Sequence, residues 1–185
     1  SAGDSTFLLA EALKQGAKSW LQTVRDPQAI KTCLSAGVGE TVTVNVGGKT
    51  DSLHGTPVEL SGRITRISDG RFEDNGEVHA GWRFFDAGTT VVIESDQGPT
   101  VALVTTRVGN MSREQFYSLG YRPENFDIVV AKGVVSPRPA YQPIASEMIT
   151  VNTPGATSAD MMTFDYKRVR ESLYPLDPNA NYTLH

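Results

Sequence analysis

Apolar residues recur along this chain first at helical spacing and then at every second position. In "GDSTFLLAEALKQGAKSW", residues 3–20, Leu9, Leu13, Ala17 and Trp20 fall on one face of a helix. Asp4, Ser5 or Thr6 can accept a hydrogen bond from its first free N–H groups. A second helix is punctuated more fully: Asp26 as cap, Pro27 at the first helical position, then "QAIKTCLSA", with Gly37 as the stop.

Beyond Gly39 the period changes from about 3.6 to about 2. "TVTVNV", "PVELSGRITRIS", "TTVVIES" and "PTVALVTTR" read as strands, and the last two form a hairpin across Asp96–Pro99. A short helix is expected from Ser112 to Gly120. "FDIVVAK" is nearly all apolar, as a strand covered on both faces would be, and a further strand is expected at Met148–Val151. The predicted architecture is one α+β domain over 1–185, an N-terminal helical pair packed on a largely antiparallel or mixed β-sheet. Residues 1–39 are expected to be helical, 40–152 sheet-rich and 153–185 a loop-rich tail.

The 185 residues suffice for one sizeable core, and 39% hydrophobic with 21% charged residues fits an ordinary globular chain. A net charge of −4 argues against a nucleic-acid surface, and the basic "YKRVR" at Tyr166–Arg170 reads first as a solvated face. No apolar run is long enough to span a membrane and no signal peptide is visible, so no membrane association and a cytoplasmic location are expected. The chain begins at Ser1 rather than Met, which leaves open an expression remnant or a piece of something longer.

Candidate chemistry is sparse. "NVGGKTDSLHG" contains Gly48-Lys49-Thr50, but Thr43 occupies the place of the first P-loop glycine and no helical period follows. A turn between strands is the better reading. The sole cysteine, Cys33, shares an apolar helix face with Ile30 and Leu34 and reads as a small packed hydrophobe. The three histidines, His54, His79 and His185, form no recognisable zinc motif, so no metal site is expected within this chain. Convergence of His54, Asp51 and a distant carboxylate is the remaining route to one. In "AKGVVSPRPAY", Lys132 leaves a buried-looking strand, and Pro137 and Pro139 stiffen the loop that carries Arg138. Lys132 as a point charge and Arg138 as a bidentate clamp could hold a carboxylate; solvation, or an internal ion pair, is the alternative. "GDST" at Gly3–Thr6 could likewise bind an anion at a helix N-terminus or simply cap it.

"GGKTDSLHGTPVELSGRI", "DGRF", "SLGYRPENFDIVVAKG", "PIASEMITVNTPGATSAD" and "YPLD", in that order, resemble the C-terminal domain of the MlrC-type metallopeptidases, the microcystin-degradation family. The resemblance runs from about Gly3 to Asp177. It implies a zinc-dependent hydrolase of amide or peptide bonds whose zinc lies in an N-terminal catalytic domain that this chain lacks. In such an enzyme this domain would be inactive alone and would wall the substrate cleft, with Asp4, Ser5, His54, Lys132 and Arg138 binding and orienting the substrate. A small peptide or amide is the expected substrate, and exposure of the old domain interface would favour homo-oligomers. The family usually carries an aromatic and a histidine after the lysine, where Ser136-Pro137 stand here, so the family's known substrate does not carry over. Two other readings compete: a stand-alone binding module without catalysis, and a small hydrolase using Lys132 as base and Ser136 as nucleophile.

Overall fold

The computed structural model describes residues 3–76, 81–155, 157–158, 160–170 and 172–181. His79 and His185, both weighed above, lie outside the described residues.

Helix α1 (Phe7–Gln15) ends where Gly16 takes the left-handed conformation that glycine tolerates, φ 65°. Strand β1 (Trp20–Arg25) follows. The helix expected to continue to Trp20 therefore stops five residues earlier, and the supposed helical segment 1–39 contains a strand. The reason is local: after Gly16 the chain turns again at Ser19, φ 51°, and Trp20, Leu21 and Val24 then enter the sheet core. Helix α2 (Pro27–Ala36) has the predicted punctuation, with Asp26 accepting hydrogen bonds from the N–H groups of Gln28 and Ala29.

The main sheet is mixed. Its strands are β1, β2 (Thr41–Val46), β3 (Val58–Ser68), β6 (Thr90–Ser95), β7 (Pro99–Val104) and β8 (Ile128–Val130), in spatial order β2-β3-β6-β7-β1-β8. The pairs β2/β3, β3/β6 and β6/β7 are antiparallel, while β1 runs parallel to both β7 and β8. The α+β expectation is met, with helix α2 against β2, β6 and β7. A small second sheet, β4 (Arg71–Glu73) with β5 (Phe84–Asp86), stacks Phe72 on Phe85 at 4.9 Å between ring centroids. Strands of three residues offer too little alternation to be recognised in advance.

Period-two alternation divides the core between the two faces of the main sheet. Val91, Ile93, Val101 and Leu103 pack with Leu9, Ile30 and Cys33 beneath α1 and α2. Their neighbours Val92 and Ala102 pack on the other side with Leu21, Phe116, Leu119 and Tyr141. Phe116 comes from the short helix α3 (Glu114–Tyr117) and Tyr141 from α4 (Arg138–Tyr141). Cys33 is fully buried, and desolvation, with the nearby Asp26 charge adding to it, pushes its thiol up to about 11. That is the chemistry of a packed hydrophobe, not of a nucleophile.

Two expectations need correction. β8 is an edge strand that pairs only with β1, and Ile128 is 41% exposed, so the apolar run 126–132 is not covered on both faces. Residues 148–151 form no strand; Ile149 is 76% exposed. They pair with no strand, although β8 has a free edge, and line a cavity wall instead. Among the described residues after 152 the structure holds only the 3-10 turn Met161–Thr163, and no described helix is long and apolar enough to cross a membrane.

Candidate functional site

The loop 47–55, which carries Asp51 and His54, is held by two carboxylates from elsewhere in the chain. Asp26 Oδ2 accepts from the Gly47 N–H at 2.8 Å and from Lys49 Nζ at 2.7 Å, while Oδ1 caps α2. Asp4 Oδ2 accepts from the N–H groups of Lys49 at 3.1 Å and Thr50 at 2.9 Å, and its carbonyl accepts from the Gly48 N–H. Gly47 and Gly48 both have positive φ, 65° and 58°. A Cβ at Gly48 would lie 2.5 Å from the Thr56 carbonyl carbon, so the double glycine is required by close backbone packing as well as by φ. Lys49 also donates to the Asn45 carbonyl at 2.6 Å. Its ammonium closes a strand-to-loop connection and is not held out for phosphate.

Asp4 and Thr6 do not cap α1 as the sequence suggested. Asp4 reaches the Lys49–Thr50 backbone, and the Thr6 hydroxyl donates to the Thr56 carbonyl at 2.7 Å. The α1 N-terminus is thereby tied to the glycine loop. Asp4 is 2% exposed, and its Oδ1 has no partner among the described residues. Burial by itself raises the Asp4 carboxyl, but hydrogen bonds from Thr50 and from the Lys49 N–H outweigh it and leave it below its ordinary 3.8. The sign of the linkage follows: stability from Asp4 is complete above pH 3.8 and is lost as pH falls through the lowered native value. Asp4→Asn is therefore expected to flatten the acid limb of a urea-midpoint series below pH 3.8, where wild type loses stability progressively. Identical acid slopes for the two proteins would remove Asp4 from this role.

A cavity of about 1190 Å³ opens beside β8 and α4. Ser5, His54, Lys132 and Arg138 all line it, so four of the five candidates share one wall system. Asp4 lines a separate cleft of about 300 Å³ together with Asp26, Lys31 and Lys49. Its charge nevertheless reaches Lys132. Lys132 is solvent-exposed in the cavity lining; partial desolvation and the Arg107 charge lower its ammonium, while Asp4 opposes them, and the net direction is down. Lys132 is placed by a buried residue that sequence reasoning missed: Asn110 accepts from the Lys132 N–H at 3.1 Å and donates to Thr23 Oγ1 and Gln115 Oε1. Such a junction joins residues up to 87 positions apart, which no local pattern reveals.

His54 is 2% exposed, and its Nδ1 lies 2.6 Å from Asp51 Oδ1. The hydrogen bond from His54, then that from the Leu53 N–H, holds the Asp51 carboxyl below its ordinary range. His54 Nε2 is buried without a hydrogen-bond partner among the described residues, beneath Gly155. Among the described residues, the Arg138 side chain makes no hydrogen bond or ion pair, and neither does Lys132 Nζ. No hydrogen bond joins Lys132 to Ser136, and Ser136 is outside the cavity lining, so the base–nucleophile pairing has no geometric support. No group of three or more His, Cys, Asp or Glu among the described residues is placed to hold a metal ion. Tyr166–Arg170 is exposed throughout.

Comparison with known proteins agrees with the resemblance read from the sequence. A search of the curated proteins gives no match. The chain is similar to the crystal structure of a "putative metallopeptidase" from Mesorhizobium sp. BNC1, with 28% identity and a TM-score of 0.78. The match covers 96% of this chain but 35% of that one, so this chain spans about a third of the length of that protein. The sequence profile of the MlrC C-terminus family matches residues 1–168. With that match over nearly its whole length and the shared fold, the chain belongs to the MlrC C-terminus family.

Proposed function

We propose that this chain is the C-terminal domain of a zinc-dependent hydrolase of amide or peptide bonds, and that it forms part of the wall of the substrate cleft. The observation that carries this reading is the placement around one cavity of two cations without an ion pair, Lys132 and Arg138, and of His54, whose buried Nε2 has no partner among the described residues. A buried acceptor such as His54 Nε2 is rarely left without a donor, so an external ligand is its natural complement, and the two cations add charge to the same cavity.

Lys132 offers a point charge and Arg138 a planar fork for a substrate carboxylate. Ser5 and His54 add polar contacts, and Asp4 acts at a distance by holding the loop that carries His54 and by opposing the downward shift of Lys132. The described residues do not fit a zinc site, because they supply no set of three ligands. Zinc and the bond-breaking chemistry are therefore assigned to the remainder of a larger protein, the partner domain of this one. Microcystin is not carried over as substrate.

The reading predicts that the isolated chain supplied with zinc shows no metal-dependent release of p-nitroaniline from N-acyl amino-acid p-nitroanilides. Zinc-dependent turnover proportional to the chain's concentration, and abolished by chelation, would sink it.

A further inference from the structure

The tautomer of His54 is set by its surroundings. A carboxylate has lone pairs and no hydrogen to give, so the short contact to Asp51 requires the hydrogen to sit on His54 Nδ1. In the neutral ring Nε2 then presents a lone pair. That lone pair is buried in the wall of the large cavity and nothing among the described residues donates to it. An acceptor buried without a donor is unfavourable, so the geometry calls for a ligand that brings an N–H or O–H.

The rest of the cavity narrows the choice. Lys132 and Arg138 make no ion pair with a carboxylate among the described residues, although the Asp4 charge acts on Lys132, which leaves both able to meet a ligand carboxylate. Five acidic residues also line the cavity, all solvent-exposed, so an anion is favoured at the two cations rather than throughout. Tyr141, Ile144 and Met148 supply apolar wall. A carboxylate, an adjacent hydrogen-bond donor and an apolar side chain together describe an N-acyl amino acid, the carboxyl end of an acylated peptide.

We propose that this cavity binds the carboxyl end of an N-acylated apolar amino acid, with its carboxylate on Lys132 and Arg138 and its amide N–H donated to His54 Nε2. The inference rests on the reading of the cavity as a substrate cleft. It adds that the Asp51–His54 pair distinguishes amides from esters: an ester oxygen in place of the N–H would set two acceptors against each other.

The test compares N-acetyl-leucine with its ester isostere, 2-acetoxy-4-methylpentanoate, by calorimetric titration of the chain in one and the same buffer. The amide is expected to bind about tenfold more tightly than the ester, the difference one uncompensated acceptor produces. It should also move the His54 Nε2 nitrogen resonance, which the ester should not. In His54→Phe both compounds should bind with the ester's affinity; the wild-type comparison and the resonance need no variant and hold even if that protein fails to fold. Equal binding of amide and ester overturns this inference and leaves carboxylate capture by Lys132 and Arg138 intact. An amide preference that survives in His54→Phe overturns the assignment to His54. Binding of neither compound overturns both readings.

Discussion

Replacing Asp26 with alanine is expected to destabilise the folded chain by about 4 kcal/mol, because one buried carboxylate serves a helix, a loop and an ion pair. Asp26 is 2% exposed, and its two oxygens accept from Gln28 N–H at 3.1 Å, Ala29 N–H at 2.9 Å, Gly47 N–H at 2.8 Å and Lys49 Nζ at 2.7 Å. The alanine leaves the first turn of α2 uncapped, strands the Gly47 N–H and takes the carboxylate from the Lys49 ammonium, which keeps the Asn45 carbonyl. Asp26→Asn should cost less, since Oδ1 still caps the helix, but its amide hydrogens would then face two donors. Urea unfolding of the three proteins measures the order. An Asp26→Ala protein within about 1 kcal/mol of wild type would place it among ordinary surface substitutions and refute the junction. Since the same loop carries Asp51 and His54, the variant should also weaken ligand binding in the large cavity.

Phe116→Ala is expected to cost about 4 kcal/mol, for a different reason. Phe116 is fully buried and joins Leu21, Val92, Ala102, Leu119 and Tyr141 on the sheet face opposite α1 and α2. That face is covered by α3 and α4, of four residues each, and by loop residues such as Leu119, Tyr121, Phe126 and Ile144, with no long element to close over a missing phenyl ring. Tyr141 and Arg138 belong to the same turn of α4, so the lost packing should loosen the clamp as well. Phe116→Leu should recover most of the stability. If the alanine variant shifts the urea midpoint no more than the leucine variant, the second core is less tightly packed than described.

What the sequence revealed and what it concealed divide along the range of the interactions. α2 was legible to the residue, because Asp26, Pro27 and Gly37 act on their immediate neighbours. β2 and β3 were legible because each buries one side at a period of two, and the β6–β7 hairpin because two apolar, β-branched runs flank a short turn. β1 was hidden, since Trp20 happens to continue the helical spacing of Leu9 and Leu13, and only its pairing with β7 and β8 makes it a strand. The stretch 148–151 misled in the opposite sense: alternation alone does not make a strand, and these residues pair with no strand although β8 has a free edge.

The candidate site was half visible. Ser5 was singled out from a helix start, Lys132 and Arg138 from a proline-stiffened loop, and His54 as a substrate contact from the family resemblance, and all four line one cavity. Asp4 was grouped with them but faces another cleft, and Lys49 proved to be committed to Asp26, 23 residues away. Asn110, which positions Lys132, gave no signal at all, because its partners Thr23 and Gln115 come from separate elements.

The central claim is that this domain shapes a cleft and does not hold the metal. It is tested most directly by calorimetric titration of the purified chain with zinc, with the metal content of the protein measured as isolated. The account predicts substoichiometric metal as isolated and no binding tighter than non-specific. Tight one-to-one binding that disappears in His54→Ala would contradict it, and would make His54 a metal ligand in a site belonging to this chain.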